Sequence, residues 1–445
     1  MVRRWAHCLS VILISVGMLR AEPPAVLPVV RLSSADLPSA ERKPPEKKSP
    51  AQKEELSVDA LVERVLAQSP TLAQMTAAAD AAQARYPQVT ALEDPMFGAS
   101  IGPGSIGANS VDFAYRLEVS QKLPYPGKRA LRGRSAAAEA AAAGDEIDDA
   151  RLMLIESARS AFYDYYLAER ALEVNREALR LLGEFKQNAE ARYKTGQVPQ
   201  SDVLQADVET GRQRERELAL ERARRVAVAR INTLMHLAPD APLPPSPRQL
   251  KPQDGVPDAA ALRALAMERR PDLRALANRV AAEQAALELA HREYKPDFEV
   301  MAAYDAFWQE TPLRTMVGVR INLPVHKARR SGAIAEATAR LAQRQAEFAR
   351  RTDEVNYEAQ QAYERFRESE RALKLYEVTI LPAARENVKA AQTAYVTAKV
   401  PFLSLIEAQR NFIELQDRAY ETTAEYFRRR AALERAAGGP LASTR

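Results

Sequence analysis

Cysteine is almost absent from this 445-residue chain: Cys8 stands alone, so no disulfide can form within it. Histidine is nearly as scarce. His7, His236, His291 and His326 lie at no helical ligand spacing from one another and join no cysteine, which leaves no zinc or haem motif and no expected cofactor. Glycine is low at 16 residues, and no Gly-rich phosphate loop or nucleophile elbow occurs. Carboxylates are plentiful but follow helix-surface spacing instead of converging, so the chain is not expected to be an enzyme. An excess of charge of one sign is missing too. Lys+Arg minus Asp+Glu is 64 − 59 = +5, the signs are interleaved, and no basic patch carries aromatics, which argues against a nucleic-acid partner. What remains is a chain rich in Ala, Arg, Glu, Leu and Gln, the composition of long helices with apolar seams.

The N-terminus reads as a secretory signal. Arg3 and Arg4 precede a short apolar run, 9–19, and Leu19-Arg20-Ala21 offers a cleavage site; the run is too short to span a bilayer as a helix. Cys8 lies ahead of the run and not at the cleavage point, so no lipid anchor is expected. Residues 1–21 are therefore assigned to the signal. Residues 22–56, rich in Pro, Lys, Glu and Ser without apolar periodicity, are assigned to a disordered linker.

The rest of the chain is written twice. Ser69-Pro70-Thr71-Leu72 matches Arg270-Pro271-Asp272-Leu273, and Asp94-Pro95-Met96-Phe97 matches Lys295-Pro296-Asp297-Phe298, both displaced by 201. Lys122-Leu123-Pro124 matches Asn322-Leu323-Pro324, displaced by 200, and Ala161-Phe162-Tyr163 matches Ala362-Tyr363-Glu364, displaced by 201. The segment from Tyr193 to Pro199 matches that from Tyr395 to Pro401, displaced by 202. The expected units are a first repeat at 57–238, an inter-repeat linker at 239–257, a second repeat at 258–436 and a flexible tail at 437–445.

Each repeat predicts one helix (58–90, then 259–294), two strands, a very long helix (128–192, then 327–394) and a further helix (200–237, then 402–436). Steps of four and three along the long helices visit Ala158, Ala161, Tyr165, Ala168 and Leu172 in one copy. In the other they visit Val355, Ala359, Ala362, Phe366 and Leu373. Such a 3.5-residue period implies coiling against a neighbour. Some 60 residues reach roughly 90 Å at about 1.5 Å per residue. Pro382 is expected to kink the second long helix.

The strands are expected at 95–101, 110–121, 297–308 and 315–323, alternating apolar with polar residues, more weakly in the first. Val111, Phe113, Tyr115 and Leu117 in one copy, and Phe298, Val300, Tyr304 and Trp308 in the other, form the face expected to meet outer-membrane lipid. Four strands cannot close a barrel, and an open sheet edge is not tolerated in lipid, so a spanning sheet requires several chains.

At this point the chain resembles the TolC-like outer membrane factors. The resemblance is carried by Tyr193-Lys194-Thr195-Gly196 with Asp202-Val203-Leu204-Gln205-Ala206, by Tyr395 to Ala398 with Leu405-Ile406-Glu407-Ala408, and by the stretch from Gln121 to Arg129. It implies a mainly α fold with a membrane β-barrel part. Three copies would share a 12-stranded barrel continued by a periplasmic α-helical barrel, and the chain would serve as the outer-membrane channel of a tripartite efflux system. The implied partners are a homotrimer, a periplasmic adaptor and an inner-membrane transporter of the RND type. Pro126-Gly127-Lys128-Arg129 is similar to channels of heavy-metal efflux systems, with metal ions or drugs as cargo. The alternatives are a type I protein-secretion channel or a periplasmic coiled-coil adaptor or scaffold.

The resemblance also nominates residues. The adaptor-contacting tips would be Thr195, Gly196, Gln197 and Val198, and Thr397, Ala398, Lys399 and Val400. The periplasmic gate would use Glu407, Ser404, Asp202 and Tyr395, with acidic side chains narrowing the pore. Ala398 replaces the usual second-copy glycine, and Val400 stands where the basic partner of the tyrosine is expected, so packing is expected to carry more of the gate.

Overall fold

The computed structural model describes residues 55–106, 112–252, 255–308, 310–397 and 399–441. The expected signal, most of the N-terminal linker, Val111 and Ala398 lie outside them.

The chain begins with α1 (Val58–Gln68) and α2 (Pro70–Thr90), where the sequence pattern predicts a single helix. Proline lacks an N–H and disfavours helical backbone in the residue before it, so Ser69 is extended (φ −70°, ψ 116°) and Pro70 opens a new helix. Strands β1 (Met96–Ile101) and β2 (Tyr115–Leu123) follow, then α3 (Lys128–Lys194) and α4 (Gln200–Leu234). At 67 residues α3 is about 100 Å long at 1.5 Å per residue.

The second half repeats the order. Helices α5 (Ala259–Arg269) and α6 (Pro271–Arg292) break at Arg270 for the same reason as the first pair. Strands β3 (Phe298–Asp305) and β4 (Thr315–Ile321) precede α7 (Lys327–Leu375), α8 (Leu381–Val396) and α9 (Phe402–Ala436). A π turn, Tyr376–Ile380, joins α7 to α8. Pro382 cannot donate to the carbonyl of Val378, and this wider turn lies over the gap. The turn also accounts for a detail of the repeat. The displacement is 201 at Ala362 (362 − 161) and 202 at Tyr395 (395 − 193), so one residue has been added between them, where the π turn stands.

Below the middle of the molecule the helices lie side by side in the order α4, α3, α9, then α7 and α8; above it the order is α2, α3, α6, α7. The end of α9 meets the start of α6. A Cβ on Gly438 (φ +84°) would lie 2.8 Å from the Arg269 carbonyl carbon, so only glycine fits this close approach. Helices α1 and α5 pack across one face of α3 and α7. Beneath them lies the main core, which includes Leu61, Val65, Phe162, Tyr165, Ile231, Val355, Phe366 and Leu433. The seam residues Ala158, Ala161, Tyr165, Ala168, Leu172, Val355, Ala359, Phe366 and Leu373 are buried, as the 3.5-residue period predicts.

The inter-repeat linker is strapped down by side chains. Glu169 accepts from the Ser246 N–H (2.7 Å), the Tyr165 hydroxyl (2.8 Å) and Arg224 Nε (3.1 Å), while Asn232 Nδ2 donates to the Pro239 and Ala241 carbonyls. Burial pushes the Glu169 carboxyl up, but these donors hold it below the ordinary carboxylate range.

Candidate functional site

The four strands form one antiparallel sheet in the order β1-β2-β3-β4, so the repeats meet at β2 and β3. Register places Phe97 opposite Val119, Leu117 opposite Tyr304, Leu123 opposite Phe298, and Val300 opposite Val319. These residues share one face, and it is uncovered: Phe97 is 69% exposed and Val317 78%. The opposite face carries charge. Arg116 pairs with Glu118 (3.1 Å) and Asp305, and Arg320 bridges Glu118 (2.7 Å) and Glu299 (3.4 Å). The sheet therefore has an apolar side and a polar side, with β1 and β4 unpaired along their outer edges among the described residues.

Tyr115, Leu117, Phe298, Val300 and Tyr304 take their expected positions on the apolar face. Phe113 and Trp308 do not lie on strands: β2 starts at Tyr115 and β3 ends at Asp305. Trp308 falls in the turn after β3, where Arg314 Nε donates to its carbonyl (2.9 Å), so the alternating pattern outruns the ladder.

At the far end of the long helices, each repeat closes a helical hairpin. Gly196 is left-handed (φ 70°), its N–H donates to the Tyr193 carbonyl, and the Gln197 N–H reaches back to Arg192 (2.9 Å). The second hairpin keeps the same long bond, from the Lys399 N–H to the Ala394 carbonyl (2.8 Å). Thr195, Gly196, Gln197, Thr397 and Lys399 are exposed, whereas Val198 and Val400 are partly covered. Leu182, Phe185, Ala206, Tyr395, Phe402, Leu405 and Ile406 form a small core that joins the two hairpins, each fully buried large side chain contributing about 1.5–3 kcal/mol.

Tyr395 is 4% exposed and its basic partner is Arg192, from the other repeat. The Arg192 guanidinium lies 5.0 Å from the Tyr395 ring centroid and donates to the Tyr395 carbonyl at 3.0 Å. The tip thus carries a charged contact between the repeats beside its packed core. The second copy has Val400 at the expected position, and the first copy supplies the basic partner. Arg192 as the basic residue in the last turn of α3 was the available signal. Asp202 completes the group. Burial pushes its carboxyl above the ordinary value against the pull of Arg192. Burial and the Asp202 charge together push the Tyr395 hydroxyl up.

Glu407 is exposed on α9 and forms no ion pair among the described residues. Arg410, one turn on, binds the buried Glu209 of α4 instead (Nε–Oε2 2.8 Å). Ser404 is partly buried, and its N–H donates to Pro401 in the first turn of α9. The structure thus brings Asp202 and Tyr395 together and leaves Glu407 and Ser404 outside that group. No group of three or more His, Cys, Asp or Glu placed to hold a metal occurs among the described residues.

Residues 61–235 match the outer membrane efflux protein family. No curated protein sequence matches the chain. Among solved structures, the outer-membrane channel OprN is 21% identical, with a TM-score of 0.74 over 88% of this chain and 95% of that one. The outer membrane protein VceC of Vibrio cholerae is 20% identical, with a TM-score of 0.72 over 86% and 96%. CusC is 15% identical, with a TM-score of 0.74 over 87% and 93%. The family match covers most of the first repeat, and the chain as a whole shares the fold of these outer-membrane channel structures, long helices joined to a β-sheet.

Proposed function

We propose that three copies of this chain form the outer-membrane channel of a tripartite efflux system, a passive conduit with no catalytic chemistry. One observation carries the reading: a four-stranded sheet, apolar on one face and charged on the other, open at both edges and mounted on a helix about 100 Å long. In lipid each open edge must be paired. Joining β4 of one copy to β1 of the next does this, and three copies give 3 × 4 = 12 strands with the charged face inward.

The helices support the same closure. The outer edge of α4 leaves Leu204, Val208, Leu218 and Val226 exposed, and the other end of the row leaves Tyr357, Leu375, Val378 and Val396 exposed. Two different apolar edges at opposite ends of a row make a head-to-tail contact that closes a ring. The tips at Thr195–Val198 and Thr397–Val400 are the surface offered to a periplasmic adaptor, and an inner-membrane RND transporter delivers the cargo. Glu407, Asp202 and Ser404 line the periplasmic entrance, with Tyr395 locking it.

The test is reconstitution in a planar lipid bilayer. Discrete, ion-conducting steps support the channel. Protein that stays in the aqueous phase and never produces a step overturns it.

A further inference from the structure

The start of α3 is tied to the helix on either side of it. Lys128 reaches forward and is only 1% exposed in the corner between α6 and β3. Its Nζ donates to the Lys295 carbonyl (2.9 Å) and pairs with Asp297 (2.9 Å) and Glu293 (3.3 Å). Arg129 reaches backward, and its Nε donates to the Thr90 carbonyl at the end of α2 (2.8 Å).

The displacement of 201 carries this pair to the start of α7: Lys128 falls on Arg329 (128 + 201) and Arg129 on Arg330 (129 + 201). Arg330 repeats the backward tie, with its Nε donating to the Glu293 carbonyl at the end of α6 (2.8 Å). Arg329 does not repeat the forward tie. It is exposed and pairs with no carboxylate among the described residues. Its place explains this. In the row α2, α3, α6, α7 the last helix is α7, so nothing of the same chain lies ahead of it. With the ring closed, the corner ahead is that between α2 and β1 of the next copy; this step rests on the channel reading.

That corner has its own acid. The first-repeat counterparts of Glu293, Lys295 and Asp297 are Leu92, Asp94 and Met96 (293 − 201, 295 − 201, 297 − 201). Two carboxylates have become apolar, and the lysine between them has become an aspartate. Asp94 is exposed and has no ion pair among the described residues, whereas the adjacent Glu93 already holds Lys122 (3.2 Å). The two unpaired groups therefore stand at matching positions on opposite ends of the chain and carry opposite charge.

We infer that Arg329 of each chain pairs with Asp94 of the partner subunit. The contact is the intermolecular version of the tie that Lys128 makes within the chain, and it occurs three times around the ring, at the junction of sheet and helices. The forked guanidinium suits a carboxylate and the carbonyl beside it, the donor pattern that this corner needs.

The test uses the full chain in outer membranes, with Cys8→Ser so that only introduced thiols are present. Arg329→Cys with Asp94→Cys is treated with a short bis-maleimide, which spans the space of the lost arginine side chain. Covalent dimers and trimers are expected. The control pairs Arg329→Cys with Asp80→Cys, which lies ten residues before the end of α2, about 15 Å along the helix, and should cross-link about tenfold more slowly. Arg329→Asp and Asp94→Arg should each lower the temperature at which the trimer dissociates in detergent, and the two together should restore most of that loss. Equal cross-linking of both pairs, none through Asp94→Cys, or a double exchange no better than the single ones overturns the contact. If the protein is still a trimer by native mass, that failure sinks this contact alone; a native mass of one chain sinks the ring as well.

Discussion

Opening the tip by separating the α3–α4 hairpin from the α8–α9 hairpin must break the contact of Arg192 with Tyr395, because that contact spans the two. The perturbation is Arg192→Gln. It removes a charge-assisted hydrogen bond of 3.0 Å, a type contributing about 1.5–3 kcal/mol, and a cation–π contact at 5.0 Å, about 0.5–1 kcal/mol at an exposed site. Arg192 is only half-buried, so solvent screening reduces the sum to about 1–2 kcal/mol per chain. If three chains open together, the closed state loses about 3–6 kcal/mol, and the open fraction rises by about 10²–10⁴ at 1.4 kcal/mol per decade. The assay is single-channel recording of open probability in a planar bilayer. Arg192→Lys should be intermediate, since it keeps the charge but loses the planar fork. Tyr395→Leu should raise opening too, and combined with Arg192→Gln should add less than its separate effect, because the cation–π contact is shared while the Tyr395 backbone carbonyl still accepts from Arg192 in the leucine variant. An open probability unchanged in Arg192→Gln, or full additivity of the two substitutions, refutes the lock.

Three further outcomes are expected. Val319→Arg puts a charge on the apolar face of β4 at a cost of about 2–4 kcal/mol near the bilayer midplane, so the variant should be depleted from the outer-membrane fraction, while Ser100→Gln on the charged face should insert normally. Asp202→Asn should keep or raise the melting temperature, because burial raises this carboxyl's pKa and its ionised form therefore costs stability at neutral pH; a clear drop would count against that view. Asp272 binds Arg270 (2.9 and 2.8 Å) and Arg351 (2.8 Å), and these hold its carboxyl below the ordinary range although burial pushes it up. That stability is fully present above about pH 4 and is lost as pH falls through the depressed value. Thermal melts should therefore steepen below about pH 4, and Asp272→Asn should cost about 3 kcal/mol at pH 7 while flattening the acid limb.

Much of this architecture was legible because its periods are long. The 3.5-residue seam through Ala158, Tyr165, Val355 and Phe366 marks buried positions, since a helix of such length must hide one stripe. Alternation found all four strands, but not their ends. Phe113 and Trp308 continue the pattern beyond the last ladder bonds, and side-chain alternation carries no information on where a partner strand stops. The helix breaks at Pro70 and Pro271 were visible as prolines, yet the surrounding apolar pattern runs across them. The π turn was written in the repeat as a displacement that grows by one residue, a signal readable only once the two copies are aligned. The tip was half legible. Tyr395 and Asp202 could be placed by resemblance, but Arg192 lies 203 residues from Tyr395 in the chain, and only the packing of one hairpin on the other brings them together.

The central claim is that a sheet open at both edges is completed by other copies of the same chain. The measurement that tests it most directly is the native mass of the protein extracted in detergent from purified outer membranes. A particle of three chains is the predicted result. A monodisperse single chain, or protein found only in the soluble periplasmic fraction, would contradict the account.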